Sequence, residues 1–252
     1  MRRSHPIGLG LLLALAVPMT APASAQTIAS AVADPARPAT DRDRDAERKP
    51  AEMLAFAGVK PGMVVVDLMP GGGYFTRLFS DAVGPSGRVI ALVPDEVLKR
   101  SDRALTTINA VAAEPGRSNV TVQHNPLMAS EPNNVADIIW TSQNYHDFHG
   151  MPGVDMVAFN KLMFRMLRPG GTYVVLDHAA APGSGATHTN DLHRIDPATV
   201  RSEAEAAGFI FDGESKAVAN PADPHTAKVF DPSIRGHTDQ FVYRFRKPGG
   251  KR

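Results

Sequence analysis

The chain has 252 residues, no cysteine, 27 Lys plus Arg against 26 Asp plus Glu, and 43% hydrophobic residues, which is enough apolar chain for one substantial core. The absence of cysteine excludes a disulfide framework and a thiolate-ligated metal or iron-sulfur site. Balanced charge supplies no basic field for a phosphate backbone, so nucleic acid is not an expected partner.

In chain order, Arg2 and Arg3 precede an apolar run from Ile7 to Val17 and the small residues Ala23, Ser24 and Ala25. This reads as a secretory signal over residues 1–25, cleaved after Ala25, and predicts a periplasmic or secreted protein. Ser4, His5 and Pro6 do not fit a twin-arginine export motif. The run is too short to span a bilayer, so no stable membrane anchor is expected after cleavage. Residues 26–49, rich in Ala, Pro and alternating charge, read as a tether with too little apolar surface to fold alone. A single domain over 50–248 follows.

Pro50 suits a first helical turn, with Met53, Leu54 and Ala57 at helical spacing before Gly58. Strand patterns then fall at Met63–Met69, Arg88–Val93, Val120–Gln123, Asp137–Thr141 and Thr172–Asp177. Helix patterns fall at Tyr74–Val83, Asp95–Ala113, Val154–Leu167 and Pro197–Ala207. Ile210–Lys216 and Gln240–Arg246 close the chain as strands with no helix between them, hence antiparallel to each other. The alternation predicts an α/β, Rossmann-like doubly wound sheet, mostly parallel with an antiparallel last strand.

Such a sheet binds ligands at its carboxyl edge. Four segments are expected on that rim: Pro70–Tyr74, Asn144–Gly153, His178–Asp196 and Ala219–Asp239. The last two are roughly 20 residues each, long enough to favour a functional lid over a simple connection.

The first rim segment ends an apolar strand with Asp67-Leu68-Met69-Pro70-Gly71-Gly72-Gly73-Tyr74. Glycines there let backbone approach a ligand, and the helix start offers unpaired N–H groups. This stretch resembles the first motif of the class I S-adenosylmethionine-dependent methyltransferases, an acid followed by glycines at alternate positions. Within them the chain resembles a group of predicted bacterial methyltransferases, many with signal peptides. That likeness rests on Arg48-Lys49-Pro50, the Asp67–Thr76 stretch, Asn144-Tyr145-His146-Asp147, Leu167-Arg168-Pro169-Gly170-Gly171, Leu192-His193-Arg194-Ile195-Asp196 and Phe230-Asp231-Pro232 with Arg235-Gly236. The resemblance implies S-adenosylmethionine as cofactor, held by Asp67, Gly71, Gly72, Gly73, Tyr74, Asp95 and Asn144. Three positions depart from the pattern: Met69 replaces the first glycine, Val93 replaces the acid that ends the second strand, and His124 and Asn125 stand where an acid or polar residue follows the third.

Asn144, Tyr145, His146, Asp147 and His149 follow the fourth strand. A histidine there can act as general base, with a neighbouring carboxylate fixing its tautomer; the catalytic candidates are His146, Asp147 and His193. His178, Arg194 and Arg235 are candidates for holding a small-molecule acceptor, a guanidinium presenting a fixed donor fork to carboxylate or phosphate. The reading is an exported methyltransferase acting on a small acceptor. Its rivals are a ligand-binding protein that kept the fold and lost the chemistry, and a metal-dependent periplasmic enzyme in which His146, His178 and His193 meet with a carboxylate.

Overall fold

The computed structural model describes residues 28–99, 101–129 and 133–249; the expected signal and its cleavage point lie outside them. Seven strands form one sheet: β1 (Val64–Leu68), β2 (Arg88–Pro94), β3 (Val120–Asn125), β4 (Ala136–Ser142), β5 (Leu167–His178), β6 (Ile210–Ser215) and β7 (Gln240–Arg246). Their order is β3-β2-β1-β4-β5-β7-β6. The first five are parallel, and β7 runs antiparallel to both β5 and β6. The chain leaves β1 toward one edge and returns for β4 on the other side, so the strand order reverses between β1 and β4, where ligands of such sheets bind.

Helices α1 (Ile28–Ala33), α2 (Ala39–Arg42), α3 (Asp45–Arg48), α4 (Pro50–Ala57) and α5 (Tyr74–Val83) precede α6 (Asp95–Leu98), α7 (Arg103–Ala112), α8 (Tyr145–His149), α9 (Met156–Met166) and α10 (Pro197–Ala206). Alternation along β1 sends Val66 and Leu68 to one face, with Phe148, Phe159, Leu162, Val200 and Ala204 of α8 to α10. Val65 goes to the other, with Met53, Leu54, Leu78 and Phe79 of α4 and α5. Trp140 is fully buried on that second face against Phe75 and Phe79. The helix expected over Asp95–Ala113 is two helices. The second begins at Arg103, whose N–H donates to the Ser101 hydroxyl, a local side-chain bond that competes with helix continuation.

The segment expected as a tether is folded from Ile28 onward. Arg37 is 1% exposed and donates to both carboxylate oxygens of Asp45 at 2.8 and 2.7 Å; the Tyr74 hydroxyl donates to the same carboxylate at 2.7 Å. Arg77 of α5 reaches Asp41 at 3.1 Å, and the Arg48 guanidinium lies 4.6 and 4.8 Å over the rings of Tyr74 and Phe75. Ion pairs and cation–π contacts to α5 hold this layer down together with the apolar seat of Ala31, Ile28 and Val32 on the same helix. It roofs the carboxyl edge of the sheet.

The two outermost strands differ from the rest. Along β3 only Val120 is buried, the other five residues being half-buried or exposed. β6 is half accessible throughout, and its pairing with β7 shifts register between Phe211 and Glu214, where Gly213 has φ 121°.

Candidate functional site

The turn between β1 and α5 carries Met69, Gly71 and Gly73 at φ 55°, 56° and 78°. All three alternate positions are left-handed, so Met69 occupies the conformation of the glycine it replaces, at a cost of roughly 1–2 kcal/mol for an L-residue. Two hydrogen bonds hold it there: its N–H donates to the Leu92 carbonyl at 2.9 Å, and its carbonyl accepts from Asn144 Nδ2 at 3.0 Å. The two flanking glycines do different work. A Cβ on Gly73 would lie 2.8 Å from Val111 Cγ2, so that glycine seats α5 against α7; a Cβ on Gly71 or Gly72 would meet nothing within 4 Å.

Gly71 and Gly72 open onto a cavity of about 230 Å³ bounded also by Asp41, Arg48, Asp67, Tyr74 and Asn144. Asp67 accepts from the Thr76 hydroxyl at 2.6 Å. Burial raises its pKa to about 6, against the pull of Thr76 and of the Arg48 charge. A larger cavity of about 440 Å³ adjoins, bounded by His178, Phe230, Arg235, Thr238 and Gln240. Arg44, Arg48 and Gln143 belong to both walls. Arg48 donates to the Ser142 hydroxyl at 3.0 Å, and burial followed by the nearby Arg44 charge lowers its pKa to about 10.

His146 and His193 meet outside the walls of both cavities, linked to the larger one through Phe230, which the His193 ring touches. Nδ1 of His146 donates to Asp177 Oδ1 at 2.8 Å, and the His146 backbone N–H donates to Oδ2 at 2.8 Å. Asp177 is fully buried at the end of β5. The expected orienting carboxylate, Asp147, instead lies 3.4 Å from the opposite nitrogen, Nε2, and the group on Nδ1 is Asp177, from the neighbouring strand β5. His146 Nε2 also faces His193 Nδ1 at 3.3 Å. Burial opposes a charge on His146, yet Asp177 and then Asp147 hold its pKa above the ordinary histidine value. His193, at φ 56°, is lowered by burial and by His146, and its ring packs 4.9 Å from Phe230.

Two expected residues, Arg194 and Asp95, stand elsewhere, and a third, His178, lines the larger cavity but not the histidine cluster. Arg194 is fully buried, pairs with Asp223 at 2.8 Å and donates to the Ala227 and Ala179 carbonyls at 2.9 Å each. It clamps the 178–196 loop to the 219–239 loop and, fully buried, lines neither cavity. Asp95 accepts from His124 at 3.0 Å and lines neither cavity, because Val93, at the end of β2, turns inward at 2% exposure onto Ala91, Ile108 and Val111. His178 stays outside the histidine cluster: its Nδ1 meets the Thr238 hydroxyl at 2.8 Å, its ring centre is 6.2 Å from that of His146, and burial lowers its pKa to about 4. Arg235 is accessible on the larger cavity's wall. Arg48 and Asp177 had no role assigned from sequence, although Arg48 sits in the Arg48-Lys49-Pro50 motif and Asp177 at a strand end.

No family model matches the chain. A solved structure described as a SAM dependent methyltransferase from Aquifex aeolicus superposes with a TM-score of 0.59 at 17% identity, covering 83% of this chain and 98% of that one. The fold is that of the class I S-adenosylmethionine-dependent methyltransferases. The methyltransferase fold does not fix the reaction by itself, since the [4+2]-cyclase SpnF superposes at a TM-score of 0.58 and 18% identity over 84% of this chain and 83% of that one. Among curated proteins, the ubiquinone/menaquinone biosynthesis C-methyltransferase UbiE of Salmonella paratyphi B is 31% identical over 190 residues, 73% of this chain. The UbiE of Pasteurella multocida is 37% identical over 123 residues, 48% of this chain. The matches span 64% and 42% of those relatives' own lengths.

Proposed function

We propose that the protein is an exported methyltransferase that binds S-adenosylmethionine at the glycine turn and a small acceptor in the larger adjoining cavity. The observation that carries this reading is the turn: three alternate left-handed residues, with Gly71 and Gly72 opening backbone onto a cavity that shares the Arg48 wall with a second one. The similarity to UbiE-type C-methyltransferases supports it. When bound, the cofactor supplies an electrophilic methyl group. Gly71, Gly72, Asp67 and Asn144, which bound the smaller cavity, would hold it, and Arg48 would offer a desolvated cation to its carboxylate.

The chain's own part in the reaction is positioning and proton removal. With Nδ1 of His146 committed to Asp177, its Nε2 accepts from His193 Nδ1, which leaves His193 Nε2 as the base. A proton taken there moves inward: His193 Nδ1–H passes to His146 Nε2, and Asp177 supports the resulting imidazolium. Phe230, against His193 and on the cavity wall, offers the acceptor an apolar face.

Calorimetric titration of the purified protein with S-adenosylmethionine tests the reading: saturable binding that Gly71→Val removes from a still-folded protein is expected. No binding to a folded wild type would overturn it. Intact-mass measurement of exported material, expected to begin at Gln26, tests the location.

A further inference from the structure

The histidine cluster contains more than a proton relay needs. We propose that His146 Nε2, His193 Nδ1 and Asp147 Oδ1 form a binding site for a divalent transition metal of the zinc type. The three atoms define a triangle with sides of 3.3, 3.4 and 3.7 Å. An ion bound tetrahedrally at about 2.0–2.1 Å separates its ligand atoms by about 3.3–3.4 Å, whereas octahedral coordination at that bond length brings neighbours to about 2.9 Å. The triangle therefore fits one face of a tetrahedron, with only the longest side needing to close by a few tenths of an ångström.

A hydrogen bond between the two rings explains one side of this triangle. The Asp147 carboxylate oxygen, 3.4 and 3.7 Å from the two nitrogens, supplies the third corner, where one proton serves one contact and a cation serves three.

Two further features belong to a ligand set. His146 donates its other ring nitrogen to Asp177, a carboxylate with no exposed surface. A carboxylate behind a ligating histidine fixes its tautomer and makes the free nitrogen a stronger donor. His193 is held at φ 56°, a conformation costing a non-glycine residue about 1–2 kcal/mol and found where the surroundings over-determine a functional position. The cluster is also reachable: the His146 side chain is 3% exposed, but those of His193 and Asp147 are 26% and 38% exposed. Two imidazoles and one carboxylate, with no thiolate, suit zinc and leave a fourth position for water or an acceptor oxygen. An ion there takes the nitrogen pair that the relay uses and lowers the pKa of that oxygen instead.

The test is a titration of chelator-treated protein with Zn²⁺ by calorimetry, repeated with Co²⁺ and followed in the visible. One ion per chain and the intense bands of four-coordinate cobalt are expected. His193→Ala and Asp147→Asn should each weaken binding about a hundredfold or more, and Asp177→Asn about ten- to a hundredfold. His188→Ala, which removes a surface histidine paired with Asp191, should leave it unchanged. An affinity unaltered by His193→Ala, or lost equally in His188→Ala, would overturn the proposal. Cobalt bands as weak as those of the hydrated ion would overturn it too. His193 is accessible enough for its alanine variant to fold, which thermal unfolding verifies. The measurement requires no methyl donor, so failure of S-adenosylmethionine to bind leaves it intact.

Discussion

Replacing Gly73 by alanine and Gly71 by alanine should separate folding from ligand binding within one four-residue turn. Both glycines are left-handed, so each substitution carries roughly 1–2 kcal/mol of backbone strain. At Gly73 the new methyl group would lie 2.8 Å from Val111 Cγ2 and 3.2 Å from Cγ1. Forcing apart the α5–α7 contact adds about 1–3 kcal/mol, for a total of about 2–5 kcal/mol. For a protein of this length that corresponds to a fall of roughly 4–20 °C in Tm. At Gly71 the methyl group meets no protein atom within 4 Å, so the stability loss stops at strain. The methyl then stands in the space where backbone would face the cofactor, and a loss of about 1.4 kcal/mol or more in binding is a tenfold or larger rise in Kd. Thermal unfolding and calorimetry on the same two preparations measure both quantities. Equal destabilisation, or a Gly71→Ala variant that binds S-adenosylmethionine like the wild type, would refute the division of labour.

Val93→Asp, the change that restores a typical acid, should not improve cofactor binding; it places a carboxylate in the apolar cluster with Ile108 and Val111 and should cost about 3–5 kcal/mol, read as a lower urea midpoint. Asp223→Ala strands the Arg194 guanidinium with both partners at zero exposure and should cost a similar amount. The two site groups with displaced pKa values act oppositely on acid stability. His178, near 4 rather than 6.5, stays neutral in the folded protein while the unfolded chain protonates, so it removes up to about 3 kcal/mol as pH falls from 6.5 to 4. Asp67, near 6 rather than 3.8, binds its proton first when folded and returns about 3 kcal/mol as pH falls from 6 to 3.8. Urea unfolding between pH 7 and 4 should therefore show His178→Gln losing less stability than wild type and Asp67→Asn losing more. Parallel curves for all three would contradict both assignments.

Elements whose cause is local were legible in the sequence. Tyr74–Val83 and Gln240–Arg246 form as their own periodicity dictates, and the strand pattern anticipated the parallel sheet with its reversed β7. The folded state of residues 28–49 was not legible, because what holds Arg37, Asp41 and Arg48 lies on α5, or in the case of Asp45 across the layer itself. Polar composition looks the same whether its charges meet water or one another. In the site, chemistry clustered where the rim argument placed it, yet the partners that came from another element were not legible: Asp177 rather than Asp147 orients His146, and Asp223 takes the Arg194 guanidinium expected to face an acceptor.

The two ends of the sheet limit how copies of this chain can meet. A strand bordering solvent is a template for another molecule's backbone unless something spoils its regularity. On β6 the slip between Phe211 and Glu214, with Gly213 at φ 121°, bends the outer hydrogen-bonding row, and Glu214 pairs with Lys216 beside it. On β3 the exposed side chains are Thr121, Gln123 and His124, and its pairing with β2 runs without a bulge. Continuing the sheet from one molecule to the next is thus discouraged at the bent β6 border and left to the regular β3 border.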